Sequence, residues 1–350
     1  MKPLALDSLL RPSIRAIKPY QSAREEFMGG DKEMILLDAN ENPYPSGVNR
    51  YPDPLQSELK KALSIWKKCD PNQLFLSNGS DEVIAHLITA FCEPTLDHIV
   101  LVPPTFGMYA VTANILGIAQ KSIPLTAHFQ LDVEAILDAS NAHSKLLFIP
   151  TPNNPTGNSF KHKDLLQLLE SFPGLVCIDE AYIEFAKAES LVSKLNRYPN
   201  LVIMQTFSKA QGMAGIRLGI TFAQKEVVSI LNTIKAPYNI NVLTQKAALT
   251  QLEEQGKINT QVATLLNERD RLMEAIASLR FVETVYPSDA NFFLIRVDNS
   301  QKRYEELLNN GIVVRHMGNK PQCENTLRIS VGKPEENEAL LLALDKMNKE

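Results

Sequence analysis

The sequence predicts an α/β protein: a large domain with a mostly parallel sheet covered by helices on both faces, then a small α+β C-terminal domain. Three observations predict it. Short, uniformly apolar runs alternate with helical patterns through the middle of the chain, and strands apolar on both sides belong to a sheet with no wet face. The pattern changes after about residue 240, where a long helical stretch gives way to mixed strands and helices. The chain has 350 residues, 44% of them hydrophobic and 22% charged, which is enough for about two domains of ordinary globular composition.

In chain order, the first 30 residues are rich in Pro, Arg and Ser without strong periodicity and read as an arm that packs on something else. IVLV (99–102) is a buried strand and TFGMYAVTANILG (105–117) a helix. KLLFIP (145–150) is a strand, HKDLLQLLESF (162–172) a helix, and LVCID (175–179) and LVIMQTF (201–207) are further strands. RLGITFA (217–223) is a strand and KEVVSILNTIK (225–235) a helix. One antiparallel strand would fit the same sheet. A single long helix is expected from 242 to about 279. It is followed by FVETVYP, NFFLIRV, the helix KRYEELLNN, IVVRHM, TLRISVG and a last helix in EENEALLLALDKM. The expected division is an arm over 1–30, a large domain over 31–245 and a small one over 246–350.

A net charge of −4 and a pI of about 6.0 provide no basic field for nucleic acid and no polybasic patch for an anionic membrane. Asp7 and Pro12 interrupt the N-terminal apolar stretch, so no secretory h-region is expected. A cytoplasmic protein is the expectation. Cys69, Cys92, Cys177 and Cys323 form no C-x-x-C pair, and the six histidines show no H-E-x-x-H spacing; no metal site is expected.

Four segments carry candidate chemistry, and each has a plainer reading by itself. In TFSKAQGMAGIRLG (206–219), Lys209 follows a strand in a turn of small residues. An amine that forms an imine needs a lowered pKa, which burial beside a cation such as Arg217 supplies; the plain reading is a solvated lysine. In CIDEAYIEF (177–185), Asp179 ends a buried strand, where open α/β sheets bind ligands. A carboxylate there would keep a pyridine nitrogen protonated, with Tyr182 on the ring oxygen; a helix cap is the plain reading. In PTPNNPTGNSF (150–160), Asn154 offers an amide from a turn after a strand. In SNGSDEVIAHLITAF (77–91), Gly79, Ser80 and Asp81 open a helix, whose free N–H groups make an anion seat or an ordinary cap. Together the four supply a lysine, a pyridinium partner, ring-oxygen partners and a phosphate cradle, the set that pyridoxal 5′-phosphate requires.

At these residues the chain resembles the class II aminotransferases of fold type I and, within them, the histidinol-phosphate aminotransferase family. The likeness runs through PYQSAR (19–24), DANENPYP (38–45), NRYPD (49–53), NGSDE (78–82), PTFGMYAVTA (104–113), PNNPTG (152–157), DEAYIEF (179–185), the Lys209 segment and LRISVG (327–332). Departures are Asp38, where the family often has Asn, and Gln211, where it often has Leu or Phe. The resemblance implies a seven-stranded large-domain sheet and a pyridoxal 5′-phosphate enzyme. Lys209 would carry the cofactor and move the proton, Asp179 pair with the ring nitrogen, and Asn154 and Tyr182 bind the ring hydroxyl. Tyr109 would stack on the ring. Gly79, Ser80, Asp81, Ser208 and Arg217 would hold the phosphate, joined by Tyr51 from the other subunit of a homodimer. Tyr20, Asn42, Arg315 and Arg328 would take the substrate's anionic end. The implied reaction is a ping-pong exchange between histidinol phosphate and 2-oxoglutarate that yields imidazole acetol phosphate and glutamate. A threonine-phosphate decarboxylase or an aromatic amino acid aminotransferase would share every cofactor residue. A non-catalytic regulator on this scaffold would need a DNA-binding module, for which the acidic chain leaves no room before the arm.

Overall fold

The computed structural model describes residues 6–20 and 34–349. Seven strands form the large sheet: β1 (Leu74–Asn78), β2 (His98–Leu101), β3 (Ala119–Ser122), β4 (Ser144–Pro150), β5 (Leu175–Asp179), β6 (Leu201–Thr206) and β7 (Leu218–Phe222), in the order β1-β7-β6-β5-β4-β2-β3. All pairings are parallel except those of β7, which runs antiparallel to both β1 and β6.

The uniformly apolar strands follow from burial on both faces. Successive residues of a strand point to opposite sides. Leu147, Ile149, Val176 and Ile178 therefore enter one core, with Leu59 and Leu63 of the helix Ser57–Lys67 and Leu165 and Leu168 of the helix His162–Ser171. Their neighbours Leu146, Phe148, Leu175 and Cys177 enter the other, under the helices Ser80–Phe91 and Lys225–Ile234. Each fully buried side chain of this kind contributes about 1.5–3 kcal/mol.

The second sheet comprises β8 (Val282–Val285), β9 (Phe292–Val297), β10 (Arg315–His316) and β11 (Thr326–Ser330), antiparallel in the order β10-β11-β9-β8. It shares a core with the helices Gln255–Ala277 and Pro334–Lys349. The helix expected over 242–279 is two helices, Val242–Glu253 and Gln255–Ala277. Buried Gln211 ties down the break: its carbonyl accepts from Gln251 Nε2 at 2.8 Å, and its side-chain oxygen accepts from Gln255 Nε2 at 3.1 Å. Of IVVRHM only Arg315–His316 is strand. Of the expected arm, residues 6–20 hold two single-turn helices, Leu6–Leu9 and Pro12–Arg15. The rest of the arm, and with it most of PYQSAR, lies outside the described residues.

Strand direction decides where the chemistry sits. β1, β4, β5 and β6 all run the same way, so Asn78, Pro150, Asp179 and Thr206 end at one edge. Because β7 runs the other way, it starts at that edge, with Leu218 opposite Asn78 and Gly219 opposite Thr206. Arg217, one residue earlier, arrives beside residues that leave the other strands.

Candidate active site

A cavity of ≈ 240 Å³ opens at this edge, lined among others by Ser80, Asp81, Asn154, Asp179, Tyr182 and Lys209. Lys209 sits three residues past β6 in a turn closed by Gly212 N–H donating to its carbonyl at 2.9 Å and by Met213 N–H donating to Phe207 at 2.9 Å. Its Nζ stands 5.4 Å from the centre of the Tyr182 ring. Burial lowers the Lys209 pKa, helped by Arg328 and Arg217 and opposed by Asp179 and Asp81. An amine pushed toward neutrality is the state that attacks a carbonyl.

Asp179 is buried at the end of β5. Its Oδ2 accepts from the Tyr109 hydroxyl at 2.6 Å and its Oδ1 from Ala181 N–H at 3.0 Å. Burial raises its pKa against those two hydrogen bonds. A cation in the cavity would favour its ionised form.

The phosphate-sized end is built on glycine. Gly79 has φ +76° as it caps the helix Ser80–Phe91, and a Cβ there would lie 2.5 Å from Arg217 Nη2. Gly219 allows the same close approach from the other side, since a Cβ on it would meet the Gly79 backbone at 2.7 Å. Arg217, itself at φ +53°, donates to Ser208 Oγ at 3.3 Å and lies 3.5 Å from Asp81 Oδ2. The Thr206 hydroxyl donates to Ser208 Oγ at 3.0 Å.

Arg328, on β11 of the second sheet, is not in the lining, nor is Arg315, but Arg328 touches the lining residue Asn154. Its Nη1 donates to Asn154 Oδ1 at 2.5 Å, and its guanidinium lies 5.1 Å from the Phe292 ring centre. Its Nε is buried with no hydrogen-bond partner among the described residues. Arg315 is the residue opposite it in the β10–β11 register, and its charge lowers the Arg328 pKa after burial does.

Tyr109 is not where the expectation put it. It is fully buried behind Asp179, stacked on Phe148 with ring centres 4.8 Å apart, and does not line the cavity. Besides Tyr182, the aromatic ring in the lining belongs to Phe106. The helix expected from residue 105 starts only at Met108, with Gly107 as its cap. Phe106 is therefore on the loop facing the cavity and Tyr109 in the first turn facing the core. Thr206 and Ala181 also line the cavity and were not singled out from sequence. Thr206 had a signal, as a hydroxyl ending a strand beside Ser208.

Three expected residues stand apart. Tyr51 stacks on Tyr238 at 4.4 Å and lines a separate cavity of ≈ 380 Å³ with Asn241 and Leu243. Asn42 is exposed and accepts from Tyr44 N–H at 3.0 Å, and Tyr20 is exposed. None of them lines the Lys209 cavity.

A buried strand-end carboxylate, a turn-held lysine and a glycine-lined anion cradle at one sheet edge define an aminotransferase-type α/β enzyme. The family described as aminotransferase class I and II matches residues 33–344. The chain belongs to that family and, within it, to the histidinol-phosphate aminotransferases. The histidinol-phosphate aminotransferase of Flavobacterium johnsoniae is 48% identical over 349 residues, covering 99% of this chain and 100% of that one. That of Cytophaga hutchinsonii is 49% identical, covering 96% and 97%. Among solved structures, the histidinol-phosphate aminotransferase of Clostridium acetobutylicum superposes with a TM-score of 0.80 at 26% identity over 87% of this chain and 92% of that one. An L-threonine-O-3-phosphate decarboxylase from Porphyromonas gingivalis shares the fold, with a TM-score of 0.74 at 21% identity over 87% and 92%.

Proposed function

We propose that the chain holds pyridoxal 5′-phosphate on Lys209 and transfers the amino group of L-histidinol phosphate to 2-oxoglutarate, giving imidazole acetol phosphate and L-glutamate. One observation carries this reading: a lysine whose pKa burial lowers faces a buried carboxylate across a cavity that ends in a glycine-lined cradle. The residues fit the cofactor. A protonated ring nitrogen would answer the buried Asp179 carboxylate. A phosphate would answer Arg217, Ser208 and the free N–H groups at Ser80 and Asp81. Phe106, rather than Tyr109, is the residue we assign to the ring face.

Bound there, the cofactor supplies an electron sink for the carbon that bears the amino group. The chain supplies the rest. Asp179 keeps the ring nitrogen protonated, and Tyr109 and Ala181 N–H hold that carboxylate in place. Asn154 and Tyr182 orient the ring through its hydroxyl. Lys209, freed by the incoming amine, takes the proton from the substrate carbon and returns it, which requires a neutral amine. Arg328 and Arg315 seat the donor's phosphate and then the carboxylate of 2-oxoglutarate, since a guanidinium fork matches either oxyanion. An anion between them relieves their mutual repulsion.

In this reading Tyr20 and Asn42 add to the substrate wall, and the Tyr51 of a second subunit reaches the cofactor's phosphate. Exposed Ile35, Leu37, Tyr44, Val48, Tyr51 and Leu243 support a homodimer, as large apolar side chains in need of cover. The four cysteines are free, which supports a reducing cytoplasm. Among the described residues no helix is long and apolar enough to cross a membrane.

The test is a donor panel of histidinol phosphate, threonine phosphate and phenylalanine with 2-oxoglutarate as acceptor. Histidinol phosphate should give the highest kcat/KM. Preferred turnover of phenylalanine, or release of carbon dioxide from threonine phosphate as the fastest reaction, would replace this reading.

A further inference from the structure

The opposite edge of the large sheet holds a third cavity, of ≈ 620 Å³, between the helices Ser57–Lys67 and Lys225–Ile234 and the turn before β1. Lys60, Lys61 and Lys225 line it with Ser57, Asn72 and Asn232, and no carboxylate is in the lining. Lys60 is the unusual member. It is only 8% exposed, and among the described residues its ammonium has neither a hydrogen bond nor an ion pair. A lysine whose stem is so covered and whose ammonium meets no protein partner is uncommon. Among the described residues the Asn232 amide oxygen is buried without a hydrogen-bond partner.

The charges around Lys60 do not satisfy it. Lys235, close enough to repel it, gives its own ammonium to the carbonyls of Pro54 at 2.9 Å, Ala236 at 3.2 Å and Pro237 at 2.9 Å. Asp53 attracts Lys60, but its oxygens accept from Leu55 N–H at 2.8 Å and Ser57 N–H at 2.6 Å. Asp70 is taken by Lys225 at 2.9 Å.

We propose that this cavity is a binding site for a phosphate-class oxyanion, free or carried on a small organic molecule, held by Lys60 with Lys61 and Lys225. Ammonium groups are point charges suited to a compact anion with several oxygens, and Ser57 and Asn72 add neutral donors. The volume leaves space for an organic remainder. Burial and Lys235 hold the Lys60 amine at about 8, and an anion in the cavity reverses that push. The site is separate from the Lys209 cavity: Leu74 at the start of β1 lines it, whereas Asn78 at the other end leads to Gly79.

The experiment labels the full-length, cofactor-loaded protein with a small amine-reactive acetyl ester at pH 8 and follows each lysine by peptide mass spectrometry. Three arms at matched ionic strength contain sodium chloride, inorganic phosphate or glycerol 3-phosphate. In chloride, Lys60 should react readily for so buried a lysine. An anion that raises its pKa from about 8 by one unit slows the reaction about fivefold at pH 8, because the neutral fraction falls from about a half to about a tenth. Exposed Lys257 should not change between arms. Phosphate alone protecting Lys60 identifies the free anion as the better ligand, and stronger protection by glycerol 3-phosphate identifies an organic ester. Lys225→Gln, at an exposed side chain, should weaken either effect. The site is overturned if Lys60 reacts equally in all three arms, if protection survives Lys225→Gln unchanged, or if the reagent never reaches Lys60.

Discussion

Lys209 and Lys60 are both lysines that the fold takes out of water, at opposite edges of one sheet, and burial lowers the pKa of both. Their company differs. Around Lys209 stand Asp179 and Asp81 as well as Arg217 and Arg328. Around Lys60 the nearest strong influence after burial is another lysine. A depressed amine is therefore no signature of catalysis by itself. What marks the Lys209 edge is a buried carboxylate across the cavity together with a cradle that no Cβ may enter.

The largest expected difference is in turnover. Lys209→Ala should lower kcat by about 10³–10⁴, the upper part of the range for a positioned acid–base group, and abolish the visible absorbance that pyridoxal 5′-phosphate shows when joined to a lysine. Absorbance and steady-state rates measure both, and an unchanged spectrum would take Lys209 out of its role. Asp179→Asn should follow, with kcat lower by about 10²–10³, the scale of removing one preorganised electrostatic partner. Retained kcat would mean that the carboxylate only packs.

Arg328→Met should reduce kcat/KM for histidinol phosphate by about 10–100-fold, the value of a charged hydrogen bond of about 1.5–3 kcal/mol. The cofactor should still load, as its absorbance will report. Tyr109→Phe deletes the donor to a buried carboxylate and should cost about 1–3 kcal/mol in a denaturant titration. A Tyr109 that stacked on the ring would instead lose cofactor affinity with little change in stability.

The smallest effect tests the other lysine. Lys60 titrates at about 8 in the fold, below its ordinary 10.5. Between those values the unfolded chain binds the extra proton, so Lys60 makes stability rise with pH across that window and costs stability in full below it. Lys60→Met should remove that slope and raise stability at pH 7 by about 1–3 kcal/mol, as replacing buried charge with apolar bulk does elsewhere. Equal pH profiles for the two proteins would show that Lys60 is solvated.

The cofactor side of this comparison was legible in the sequence because its residues sit where local patterns speak loudly. LVCID names β5 outright, and Asp179 is its last residue. LVIMQT names β6, and Lys209 follows it. β1 and β3 were missed for different reasons. β3 reads AQKS, a polar edge strand defined only by pairing with β2. β1 is short and sits directly before the Gly79 turn, which drew attention to the helix start instead. Expecting Tyr109 rather than Phe106 in the cavity wall came from a helix start placed three residues early, at 105 instead of Met108. The break at Glu254 depends on Gln211, some 40 residues away in sequence, so no local pattern encodes it. The substrate side was harder because Arg328 and Arg315 meet only through strand pairing in the second sheet, and Tyr20, Asn42 and Tyr51 need a neighbour to complete them.

The hydrogen bond from Arg328 to Asn154 has a consequence beyond geometry. It joins a side chain assigned to the incoming anion with one assigned to the cofactor ring. Any anion that draws the guanidinium away alters what Asn154 offers the ring, and thermodynamic reciprocity then demands that the state of the ring alter the affinity for the anion. With those assignments, the absorbance of the bound cofactor should respond to an anion docked at Arg328 before any amino group has moved.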